Sequence, residues 1–193
     1  MTYLVLASIL LTVLFVGTVI WRRWRSTDVS GGFPERLNEA IPDSISALVY
    51  NLPRRQQWLW IVWLWAVSLL TCIPLIETMP DDWRILAFAT LACLMLCGAM
   101  PISDSNVNHR AHNAFGTLGG ILSQACVAIT SPWWLLAWLL VVAVYGYGLL
   151  ISKNGRIYPS RCYDGKGVFL AEMICAVTVS GSLLTRLAVT SAA

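Results

Sequence analysis

Residues 58–76, WLWIVWLWAVSLLTCIPLI, run for nineteen positions without one charged side chain. A helix needs about 20 apolar residues, each rising about 1.5 Å, to cross a hydrocarbon layer about 30 Å thick. A soluble helix of this length would keep a polar face for water, and this one has none. Similar windows recur, and six spans are predicted at 3–20, 58–76, 85–100, 114–130, 133–151 and 168–189. No alternation of period two runs through them, which argues against a closed barrel. In lipid every backbone N–H and C=O must be paired within the protein, so a helical bundle remains. The expected fold class is all-α, a polytopic integral membrane bundle forming one transmembrane domain. Composition agrees, because 58% of the 193 residues are hydrophobic and 12% are charged, against about 25% charged in an ordinary soluble domain.

Charge placement sets the orientation. Basic residues collect in cytoplasmic loops. Arg22, Arg23, Arg25, Arg36, Arg54, Arg55, Arg110, Lys153, Arg156, Arg161 and Lys166, eleven of the thirteen basic residues, fall on one side of six spans. The facing loop ETMPDDWR holds Glu77, Asp81 and Asp82 against Arg84. The reading is a multi-pass inner-membrane protein with both termini outside, in the periplasm. Orientation accounts for the net charge of +3, so no nucleic-acid partner is implied.

The first apolar run carries its positive charge after it, at Arg22, Arg23 and Arg25, and bulky Trp21 and Trp24 stand where a cleavage site would need small residues. It reads as a retained anchor rather than a signal peptide. Of the six cysteines, Cys93, Cys97 and Cys175 fall inside spans and Cys162 in a basic loop. Cys72 and Cys126 lie near outer span ends, where a bridge would be chemically allowed, though nothing in the sequence pairs them. Most of the ten tryptophans, Trp21, Trp24, Trp58, Trp60, Trp83, Trp133 and Trp134 among them, sit at span ends as an interfacial belt. Trp58, Trp65 and Trp138 are alternatives for walls of a lipid pocket.

The longest loop holds an amphipathic pattern. Phe33, Leu37 and Ile41, then Ile45, Leu48 and Leu52, recur at helical spacing. Pro42 divides the pattern, Asp43 or Ser44 can cap a second short helix, and Pro53 stops it. The segment 33–52 is expected to lie in the cytoplasmic interface with its apolar face in lipid. Its alternative is a lid over the bundle, with Ser44, Ser46 and Tyr50 facing a cavity.

The polar stretch PISDSNVNHRAHNAF, residues 101–115, stands between two apolar spans. If helical, it puts Asp104, Asn108 and His112 on one face, with His109 beside His112. Two histidines and a carboxylate are a permitted zinc set, so Asp104, His109 and His112 are the metal candidates, and a polar turn is the plainer alternative. Glu172 lies about one turn inside the sixth span. An ionisable residue at that depth turns toward the bundle interior, a partner or water, which makes Asp104, His109, His112 and Glu172 the candidate functional cluster. Gly116 and Gly120, spaced as GxxxG with Gly119 between them, predict close packing of the fourth span. Gly146 and Gly148 are read the same way in the fifth.

The order PDSISALVY, a Trp-rich span, CGAMP and HRAHNAFGTLGG resembles uncharacterised bacterial six-span proteins related to the fibroblast-growth-factor-receptor-activating and autophagy-modulator membrane family. In that family a His-Asn pair opens a span after a short polar turn, and His112 and Asn113 match it over a resemblance covering residues 40–130. The resemblance implies a six-helix membrane protein, with lipid handling suggested for distant members. Ser46, Asp104, His109 and His112 can also be set against zinc hydrolases of the alkaline ceramidase and adiponectin-receptor type. Those have seven spans and a later histidine pair at another spacing.

No phosphate-binding glycine loop, nucleophile elbow or HExxH motif occurs. No internal repeat of transporter type is visible. The function expected is lipid binding or lipid handling without a cofactor, and the alternative is a zinc-dependent hydrolase acting on a lipid. The expected partner is membrane lipid, with a homo-oligomer as a further option.

Overall fold

Apolar side chains on nearly every turn leave most of this chain one way to satisfy its backbone, and helix follows helix. The computed structural model describes residues 1–26, 33–100, 106–151 and 166–192, and among them it contains no strand. The longer helices are α1 (Thr2–Ser26), α2 (Phe33–Ala40), α3 (Trp58–Thr78), α4 (Arg84–Ala99), α5 (Asn106–Thr130), α6 (Trp138–Ile151) and α7 (Gly167–Ala192). Short 3-10 turns occupy Ser46–Asn51, Arg54–Gln56, Asp81–Trp83 and Pro132–Ala137. Four helical stretches, Thr2–Ser26, Arg54–Thr78, Asp81–Ala99 and Gly167–Ser191, are long and apolar enough to cross a membrane.

Side-chain contacts fix the directions. Ser8 meets Thr71, while Val16 and Val19 meet Trp60 and Trp63, so α1 and α3 are antiparallel. Trp65 Nε1 donates to Met95 O, and Cys97 reaches His112 while Thr90 reaches Cys126, so α4 runs against both α3 and α5. Thr178 bonds Gln124 and Ser182 bonds Thr130, which makes α5 and α7 parallel. Long helices therefore alternate in direction along the chain. Arg22, Arg23, Arg54, Arg55, Arg110 and Lys166 gather at one end, the basic end. Glu77, Asp81 and Asp82 mark the other, where Arg84 pairs with Asp81 at 2.9 Å.

Two expectations change here. Helix α5 begins at Asn106, so most of the polar stretch is the first turns of a 25-residue helix. Residues 101–105, with Asp104, lie outside the described residues, as do Lys153, Arg156, Arg161 and Cys162. The second half of the amphipathic segment has its apolar side in protein rather than lipid. Leu48, Val49 and Leu52 are buried among Val16, Val19, Trp60 and Trp63, because the chain turns back at Pro42 and lays the 3-10 turn across α1 and α3. Phe33 and Leu37, on α2, remain exposed.

Close approach of backbones is set by glycine, though not always at the expected ones. A Cβ at Gly116 would stand 3.4 Å from Cys97 Sγ and one at Gly120 3.9 Å from Cys175 Sγ, ordinary contacts with α4 and α7. The tighter position is Gly119, where a Cβ would meet Leu94 at 3.2 Å. Tightest is Gly181, whose Cβ would fall 2.5 Å from the Trp134 ring. Among the described residues nothing would stand within 4 Å of a Cβ at Gly146.

Candidate functional site

Between α1, α3, α4, α5 and α7 lies a cavity of about 200 Å³. Its apolar wall includes Trp60, Trp63, Leu64, Val67, Leu75, Leu94 and Val179, and its polar wall includes Ser8, Thr12, Ser46, Ser68, Thr71, Thr90, Ser123 and Glu172. Several hydroxyls are already used. Ser8 and Thr71 share a bond of 2.8 Å, and Ser68 and Thr90 donate to carbonyls one turn back, Leu64 O and Leu86 O. Two tryptophans are different. Trp60 and Trp63 are 2% and 6% exposed, and among the described residues neither indole N–H has an acceptor. A buried donor left unpaired costs about 1–3 kcal/mol, so each of these two rings carries an unmet demand for an acceptor.

The basic end of the cavity is closed by the chain from Ile41 to Asn51. Ile45 N–H donates to Glu172 Oε2 at 2.5 Å, fastening the turn to α7. Phe169 N–H donates to Asp43 O at 3.0 Å, and Lys166 Nζ pairs with Asp43 at 3.2 Å and donates to Ile41 O. Ala47 N–H donates to Ser44 Oγ at 3.1 Å, which ties the start of the 3-10 turn to the residue before Ile45. Of the three residues proposed to face a cavity, Ser46 does so, Ser44 serves the turn, and Tyr50 is exposed.

Ser46 is held from the other side by His112, which is 2% exposed. His112 Nδ1 lies 3.0 Å from Cys97 O and 2.8 Å from Met100 O. Carbonyl oxygens only accept, so Nδ1 carries the proton and donates to both, satisfying acceptors that the end of α4 leaves without intrahelical partners. Nε2 is then free to accept the Ser46 hydroxyl at 2.8 Å. The Trp60 ring stands 5.7 Å from the imidazole, tilted by 41°. Histidine, serine and unpaired indole thus adjoin one another at the closed end of the cavity.

The cluster expected from sequence divides. His112 and Glu172 are both drawn to the segment over the bundle, and they meet through neighbouring residues Ser46 and Ile45 rather than directly. His109 leaves the group. It is exposed and hydrogen-bonded to Asn113 at 3.2 Å, nearly one turn closer to the start of α5 than the buried His112. Among the described residues no three His, Cys, Asp or Glu side chains are grouped to hold a metal ion. Cys72 and Cys126 are free thiols.

The pocket walls also differ from expectation. Trp58 and Trp65 are exposed, and Trp138 donates to Gln124 Oε1 at 2.9 Å, while Trp60 and Trp63 line the cavity. Sequence reasoning assigned Trp60 to the belt because it lies near a span end. The available signal was spacing, since Trp60 and Trp63 fall on one face of α3, away from Trp58 and Trp65. Gln124 also accepts from Thr178 Oγ1 at 3.0 Å and so joins α5, α6 and α7. No protein-family model, curated protein or solved structure matches the chain.

Proposed function

We propose that this protein is a six-span membrane bundle that binds one amphiphilic lipid-derived molecule in its internal cavity. The carrying observation is the pair of buried indole N–H groups, Trp60 and Trp63, without acceptors among the described residues, on tryptophans that line a mainly apolar cavity. Donors placed this way suit a molecule that brings carbonyl or carboxyl oxygens together with a hydrocarbon tail, the arrangement ligand pockets share. Glu172 and Ser46 give the same end of the cavity its polarity.

Six spans are supported by the length of α5, about 37 Å at 1.5 Å per residue for its 25 residues. The continuous helical path from Pro132 to Ile151 supports a fifth crossing. The charge asymmetry favours an inner membrane with the basic end in the cytoplasm and both termini outside. Relationship to the six-span receptor-activating and autophagy-modulator family fits this reading through His112 and Asn113. The zinc alternative gains no support from the separated positions of His109 and His112.

A photoreactive fatty acid added to detergent-purified protein tests the proposal. Crosslinks are expected on peptides containing Trp60 or Trp63, and Trp60→Phe with Trp63→Phe should lower the yield at least fivefold. Crosslinks confined to the outer faces of the helices would refute an internal ligand site.

A further inference from the structure

We propose that Ser46 and His112 form a nucleophile and general-base pair that cleaves a carboxylic ester held in the cavity. This rests on the cavity being a ligand site and assigns the chemistry done there. A serine hydroxyl is a weak nucleophile until a base within about 2.6–3.2 Å can take its proton and a third group fixes that base. Each part is present. Ser46 Oγ stands 2.8 Å from His112 Nε2, and the tautomer that leaves Nε2 free is enforced by two carbonyls on Nδ1. Those carbonyls do the orienting that a carboxylate does in a triad.

The surroundings suit acyl transfer. His112 is buried behind Ser46, which belongs to the cavity wall, so a substrate meets the hydroxyl first and reaches Nε2 beside it. Ser46 lies on a turn anchored at consecutive residues, Ile45 by Glu172 and Ser46 by His112, which holds its position. The Trp60 ring stands beside the imidazole and its N–H is without an acceptor among the described residues, which assigns it as the donor for a carbonyl oxygen that gains negative charge. An apolar cavity walled by Trp63, Leu64 and Val67 takes an acyl chain.

The steps balance. Ser46 Oγ adds to the ester carbonyl carbon as its proton passes to His112 Nε2. Collapse breaks the bond to the alcohol oxygen, which leaves with that proton and yields an acyl-Ser46 ester. Water then gives a proton to Nε2 and its oxygen to the carbonyl carbon, the bond to Ser46 breaks, and the proton returns to Oγ. The products are a carboxylic acid and an alcohol, with no redox change.

An alkyl fluorophosphonate, which forms a Ser–O–P bond and releases fluoride, tests the pair on the full chain in detergent by intact mass and peptide mapping. The expected result is one adduct, on Ser46, absent in Ser46→Ala. In His112→Gln, which keeps polarity but cannot serve as the base, labelling should slow at least 100-fold. Wild-type protein that is helical and monodisperse yet unlabelled, or labelled elsewhere, overturns the proposal. So does His112→Gln labelling at the wild-type rate. Should a variant not fold, the mapped site in the wild type still decides. Fatty-acid crosslinking without fluorophosphonate labelling would remove the esterase and leave the ligand site standing. Absence of both would remove both.

Discussion

The two ends of the bundle are built from similar apolar helices and solve opposite problems. At the acidic end Val5, Met79, Ala87, Cys126, Val127 and Leu183 close into a buried cluster with Leu75 and Val179, which also reach the cavity. Polar atoms there find partners at once, as with Thr130 and Ser182, whose hydroxyls share a bond of 2.7 Å. Toward the basic end the helices stand around a cavity, and a non-spanning segment fills the opening with Leu48 and Val49 while binding Glu172 and His112 through Ile45 and Ser46. One end minimises space and unmet polarity. The other keeps both.

Substitutions separate these roles. Leu183→Ala, at a side chain with 0% exposure in the acidic-end cluster, should have the largest effect on stability. The loss should be about 2 kcal/mol in denaturant unfolding, near the low end for such truncations because the alternative surroundings are lipid rather than water. Ligand crosslinking should be unchanged, and a comparable fall in crosslinking would show that the two ends are not independent. Gly181→Ala presses a methyl group into Trp134 and should cost about 1.5 kcal/mol, read as a lower melting temperature.

Glu172→Ala addresses the opposite end. It frees the Ile45 N–H and should cost about 1 kcal/mol. Its clearer signature is local: trypsin should cut faster at exposed Arg54 and Arg55 as the segment loosens, and an unchanged rate would deny Glu172 its fastening role. Smallest is Thr130→Ala, which deletes one hydroxyl pair and should cost about 0.6 kcal/mol, the usual size for such bonds between membrane helices.

Several parts of the site were legible in the sequence. Glu172 stood out because a carboxylate within an apolar run demands a partner, and His112 because it lies where a polar stretch enters a span. The candidate partners were histidines. The observed one is the backbone of Ile45, 127 positions away, and no spacing rule reaches so far. Ser46 was named as a cavity-facing residue only on the lid reading of its segment, since an amphipathic stripe is compatible with lipid or protein. His109 and His112 looked equivalent by spacing, yet the open carbonyls of α4 select one of them.

Hydropathy and charge by themselves determined an all-helical chain with helices long and apolar enough to cross a membrane and with a basic end and an acidic end, because these depend on run length and composition. Tertiary structure alone decided which apolar face met protein, which glycine met an indole, and that His112 reached Ser46. Those outcomes depend on where helices distant in sequence leave a carbonyl unpaired or a space unfilled, and that is a property of the assembled bundle.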